Sequence, residues 1–145
     1  MNIGFKFKVI YQDVDFLKIH ISAWNGEFGG SADVYVDVGR LEEIAEMIRG
    51  FPRNSSDHRE VVLGSVDPKY AEDFVSMQFY CVDAAGRSYI RAKIERKILL
   101  ADTRQSVTLV LPIEATAIDL FTEKLHQLGT NKKGIAQLLS SLYII

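Results

Sequence analysis

Residues Phe74–Ile98 read FVSMQFYCVDAAGRSYIRAKIERKI, and the period of this stretch decides the fold class. Val75, Met77, Phe79 and Cys81 alternate with Ser76, Gln78 and Tyr80, the two-residue repeat of a strand with one face buried. Asp83–Gly86 (DAAG) supplies a hairpin turn. Ile90, Ala92, Ile94 and Ile98 then alternate with Arg91, Lys93, Glu95 and Lys97. After a DTRQ turn, Val107, Leu109 and Leu111 repeat the pattern. Three strands in series joined by short turns make an antiparallel meander over 74–111.

Upstream, the same period recurs. Phe5, Phe7, Val9 and Tyr11 sit two apart, and Leu17, Ile19, Ile21 and Ala23 follow after turn residues, so the two runs predict a hairpin. Ala32–Val36 predicts a third strand. The period then changes. Leu41, Ile44, Ala45 and Ile48 keep helical spacing. A short amphipathic helix over 40–50 is therefore expected, capped by Asp37 or Gly39 and ended by Gly50 and Pro52. Arg53–Arg59 reads as a polar loop, Val61–Leu63 as a short strand and Asp67-Pro68 as a turn.

Downstream, Pro112 ends the sheet. Thr116–Asp119 resembles a capping box with Asp in place of Glu, leading into Ala117, Phe121, Leu125 and Leu128 at helical spacing. Gly129 is expected to close that helix, and Ile135, Leu138, Leu139 and Leu142 predict a second one. The order has too few crossover helices for a parallel sheet. It predicts one α+β domain over 1–145, with a mostly antiparallel twisted sheet of about six to seven strands. One short helix is inserted, and one or two helices stand at the C-terminus.

The chain has 145 residues and a formal charge of -2, enough length for a core and too little charge to drive binding to nucleic acid or anionic lipid. Its single cysteine, Cys81, forms no internal disulfide and is expected to be a buried, inert thiol. The N-terminal stretch alternates apolar and charged residues and lacks the continuous apolar core of a signal peptide. No apolar run reaches a membrane span. A cytoplasmic protein without membrane contact is the expectation.

No catalytic, cofactor-binding or metal-ligating set emerges. Gly26, Gly29 and Gly30 precede a strand, without Gly-Lys-Ser/Thr, so they predict a turn or bulge and not a phosphate loop. His20, His58 and His126 share no zinc spacing. Arg91, Lys93 and Lys97, with Arg87 and Tyr89 nearby, form a basic stripe. Glu95 interrupts it and no RNA-binding aromatic signature accompanies it, so it reads as a solvated face. Phe16, Trp24, Phe28 and Tyr35 are read as core aromatics, with an interface as the alternative. Glu42, Glu43 and Glu46 make an acidic helix face suited to a basic partner. The closing LYII needs either the domain core or a second copy of the chain.

ISAWNGEFGG, VDVGRLEEIAEMIRGFP, YCVDAAGRSYIRAKIERKI and SVTLVLPIEATAIDLFTEKL give the chain a resemblance to small bacterial proteins that include immunity-type proteins of polymorphic toxins. The resemblance implies a rigid binder that masks a partner protein, such as a toxin, without doing chemistry. Trp24, Phe28, Glu42, Glu43 and Glu46 are then the candidate partner contacts, and no cofactor is required. The competing expectation is a small-molecule-binding or enzymatic domain, with an apolar pocket enclosed by a curved sheet and helices.

Overall fold

In the computed structural model, residues 2–64, 72–98 and 103–141 are described. The elements in chain order are β1 (Gly4–Gln12), β2 (Phe16–Trp24), β3 (Gly29–Asp37), α1 (Arg40–Ile48), β4 (His58–Gly64), β5 (Phe74–Cys81), β6 (Ser88–Lys97), β7 (Arg104–Ile113), α2 (Ala115–Asn131) and β8 (Ile135–Leu139).

The strands make two antiparallel four-stranded sheets, ordered β3-β2-β1-β8 and β4-β5-β6-β7. This corrects the single sheet of six to seven strands. α1 carries the chain away from β3, and β4 pairs with β5 instead of extending the first sheet. The expected meander is present, with Phe79 opposite Ile90 and Ile90 opposite Leu111. β4 begins at His58, so His58 and Arg59 belong to a strand and not to the loop. The Asp67-Pro68 turn lies outside the described residues, as does LYII at the end of the chain.

The C-terminal expectation needs a larger correction. One helix is present, and the segment expected to form a second helix is the strand β8, paired with β1. Ile135, Leu138 and Leu139 fit helical spacing, but Ala136 and Leu138 are the buried pair. Five residues gain little as a helix. Placed beside β1, they gain a ladder of backbone bonds and a buried face. The helix before them also starts and ends differently. Its N-cap is Glu114, whose C=O accepts from Ala117 and Ile118 N–H, so Thr116 falls inside the first turn and Asp119 beyond it. Gly129 does not close α2 but lies within it. A Cβ there would overlap the Glu42 carboxylate and come 3.0 Å from Leu41 Cβ. The missing side chain is what lets α1 approach.

α1 ends at Ile48, slightly before the expected boundary, and buries Leu41, Ile44, Ala45 and Ile48 as its spacing requires. The inner faces of both sheets and the apolar faces of both helices form one core cluster. Phe7 meets Phe121 edge-on at 5.4 Å, joining the first sheet to α2, and Phe51 meets Phe79 at 5.7 Å. Such pairs stabilise beyond the area they bury, by about 1 kcal/mol.

Candidate functional site

Both helices pack on the inner side, and among the described residues no helix covers the outer face of the first sheet. β2 alternates buried Leu17, Ile19, Ile21 and Ala23 with half-buried Phe16, Lys18, His20, Ser22 and Trp24. At one end of this face, Tyr11 and Phe16 rings lie 5.8 Å apart and Phe16 meets Tyr35 edge-on at 5.5 Å. Lys18 Nζ stands over the Tyr35 ring at 5.4 Å. Tyr35 is 47% exposed, so the core reading fails for Tyr35. Phe16 is half-buried within the row.

The opposite end carries the Trp-Gly turn. Asn25 N–H donates to Phe28 O, and Asn25 Oδ1 accepts from Glu27 and Phe28 N–H at 2.9 and 2.7 Å. Gly26 takes φ 99, the left-handed conformation that tight hairpin turns require. Phe28 is 62% exposed at the tip, so it too lies outside the core. Trp24 stands between Gly29 and Gly4 on the neighbouring strands, and a Cβ on Gly29 would come 2.7 Å from its ring. The half-buried indole thus covers backbone that glycine leaves bare. The glycine stretch is a turn and a place of close packing, as its sequence context implies.

Between the two aromatic ends lies a polar band. His20 Nδ1 is 2.6 Å from Asp33 Oδ1, so the carboxylate accepts from the ring N–H. Arg96 donates to Asp33 Oδ2 at 3.4 Å and to Ser31 Oγ at 3.3 Å. Asp73 accepts from Asp33 N–H at 2.9 Å and from Lys97 N–H at 3.0 Å. This network ties the edge of the first sheet to β6 of the second. Among the described residues no hydroxyl or thiol hydrogen-bonds to His20, so the geometry describes an anchored histidine rather than an activated nucleophile. His58 and His126 are exposed and lie on β4 and α2. No group of three or more His, Cys, Asp or Glu side chains with metal-holding geometry occurs among the described residues.

The acidic helix face is largely occupied. Glu46 and Glu123 both pair with Arg49 at 3.0 Å, and Glu43 lies 3.8 Å from Arg40. Glu42 turns toward α2, with Oε1 buried and without a hydrogen-bond partner among the described residues. The three carboxylates that share a helix face in sequence are thus split between local ion pairs and the helix contact. Cys81 is half-buried, with Sγ 3.8 Å from Asn54 O and from Ser88 Oγ, which corrects its expected burial. On the outer face of the second sheet, Tyr80 stacks beside Tyr89 at 6.0 Å and the Arg91 guanidinium lies 5.8 Å from the Tyr80 ring. Arg87 is spent on Asp83, which its hydrogen bond holds below the usual carboxylate range.

No helix is long and apolar enough to cross a membrane among the described residues. No family model matches the chain, and neither a curated protein nor a solved structure matches it. The likeness to immunity-type proteins therefore rests on the quoted motifs alone.

Proposed function

We propose that this chain is a non-catalytic binding protein that engages and masks a protein partner through the outer face of its first sheet. One observation carries the reading: that face is uncovered and displays Tyr35 and Phe28 at its two ends. Rigid aromatics on a strand scaffold lose little entropy on docking and recur as interface anchors. Trp24 supports the Phe28 end, and Lys18 and Lys8 give the face cationic character between the anchors. The space between the sheets and helices is filled by side chains such as Phe7, Phe79 and Phe121, each no more than 1% exposed, which favours a surface ligand over an enclosed one. A bacterial toxin is the partner class that the motif resemblance implies, and a cytoplasmic setting goes with it.

Capture from a native extract containing the products of neighbouring genes tests the reading. The wild-type chain is expected to retain a partner, and the variant carrying Phe28→Asp and Tyr35→Asp to retain about tenfold less or lower. Its urea midpoint should fall only slightly, since both side chains lie at the surface and Tyr35 gives up only its contacts with Phe16 and Lys18. Equal retention by wild type and variant would overturn the assignment of this face.

A further inference from the structure

β8 is the edge of the first sheet, and the parity of its pairing determines what that edge presents. Val9 N–H donates to Gly134 O at 3.2 Å and Ser140 N–H to Ile3 O at 3.0 Å, while Phe5 opposes Leu138 and Phe7 opposes Ala136. In an antiparallel ladder, residues that exchange bonds with one neighbour alternate with residues whose groups point the other way. Gly134, Ala136, Leu138 and Ser140 therefore face β1. The N–H and C=O groups of Ile135, Gln137 and Leu139 face outward, and among the described residues no other strand pairs there.

The same three residues line a cleft of about 620 Å³ whose other wall is α2, through Ala117, Leu120 and Lys124. Leu120, Ile135 and Leu139 are 60%, 46% and 47% exposed. An apolar floor beside unspent backbone groups is the arrangement that accepts an added strand. The charge of the cleft then selects among strands. No acidic residue lines it, Lys124 forms no ion pair among the described residues, and Lys6 and Lys8 stand opposite Gln137 and Ile135 on β1.

We propose that the β8 edge is a strand-addition site for an extended segment of a protein partner that alternates apolar and acidic residues. This rests on the partner-binding reading above and adds a contact at the opposite edge of the same sheet, across β2 and β1 from β3. Backbone groups of the incoming strand would pair with Ile135, Gln137 and Leu139. Its apolar side chains would lie beside Ile135 and Leu139 on one face, and its carboxylates, pointing to the other, would meet Lys124 on α2. A second copy of the chain fits less well, because it would bring another lysine-bearing groove against this one.

The test uses the full chain, labelled with nitrogen-15, and two blocked peptides, Ac-EVEIEVEI-NH2 and Ac-KVKIKVKI-NH2. The acidic peptide is expected to shift the amides of Ile135, Gln137 and Leu139, to slow their hydrogen exchange, and to bind about tenfold more tightly than the lysine peptide. Gln137→Pro should remove the central bond while its ring sits on the outward edge, where proline is tolerated. Lys124→Glu leaves the backbone intact and should reverse the peptide preference, so the inference stays testable if the proline variant does not fold. Equal binding of the two peptides, or shifts confined to Trp24 and Lys6, would overturn it. Sedimentation showing a dimer lost in Gln137→Pro would also overturn it, by assigning the edge to a second copy. If these results fail while the Phe28→Asp, Tyr35→Asp variant still loses its captured partner, strand addition alone is wrong and partner binding on the aromatic face stands.

Discussion

Arg59 shows how one side chain organises a segment that sequence alone marks only as polar. Its guanidinium donates to Asp57 at 3.2 and 2.8 Å, to the C=O of Arg49 at 2.6 Å and to the C=O of Met47 at 3.3 Å. It also stands 5.5 Å from the Phe51 ring. A cation is thereby placed at the C-terminal end of α1, where the helix leaves carbonyls unpaired. The hydrogen bond from Arg59, with help from Arg53 N–H, holds the Asp57 carboxyl below its ordinary value of 3.8. A carboxyl lowered in the folded state contributes stability above its unfolded value and loses it as pH falls through the folded one. Arg59→Ala is expected to cost about 2 kcal/mol at pH 7. In urea titrations that difference should narrow below about pH 4 without vanishing, since the carbonyl bonds do not titrate. A gap independent of pH would separate Asp57 from the effect. The helix contact was not legible in RNSSDHR, because the Met47 and Arg49 carbonyls that Arg59 joins belong to the end of α1, outside that stretch.

At the scale of elements, the strands and α1 were legible because a half-buried strand and an amphipathic helix each write their period into the chain. β8 was not, because five apolar-rich residues fit both periods and only the vacant edge of β1 selects the strand. Gly129 misled for a related reason: a glycine near a helix end usually marks termination, but here it marks contact between helices. Replacing it tests that reading. Gly129→Val should destabilise by about 2 kcal/mol through overpacking against Leu41 and Glu42, measured as a lowered urea midpoint. Adding Glu42→Ala should recover only part of the loss, because Leu41 Cβ remains in the way. A Gly129→Val variant as stable as wild type would show that α1 and α2 do not depend on this close approach.

For the whole molecule, the two sheets and two helices share one core, so they should unfold together. Ile19 in the first sheet and Ile90 in the second are both fully buried. Ile19→Ala and Ile90→Ala are each expected to cost about 3 kcal/mol. Trp24 fluorescence, which reports the first sheet, should follow the same transition as far-ultraviolet circular dichroism in both variants. Separate transitions would mean that the sheets are independent units. By itself, the amino-acid order determined the α+β class, the N-terminal hairpin, the meander and α1, since those depend on local periods that burial on one face imposes. Only the tertiary structure decided that the strands divide into two sheets, that β8 closes the first, and that Phe28 and Tyr35 stay outside the core. Those outcomes depend on which edges and faces meet across distant parts of the chain, and no local period records that.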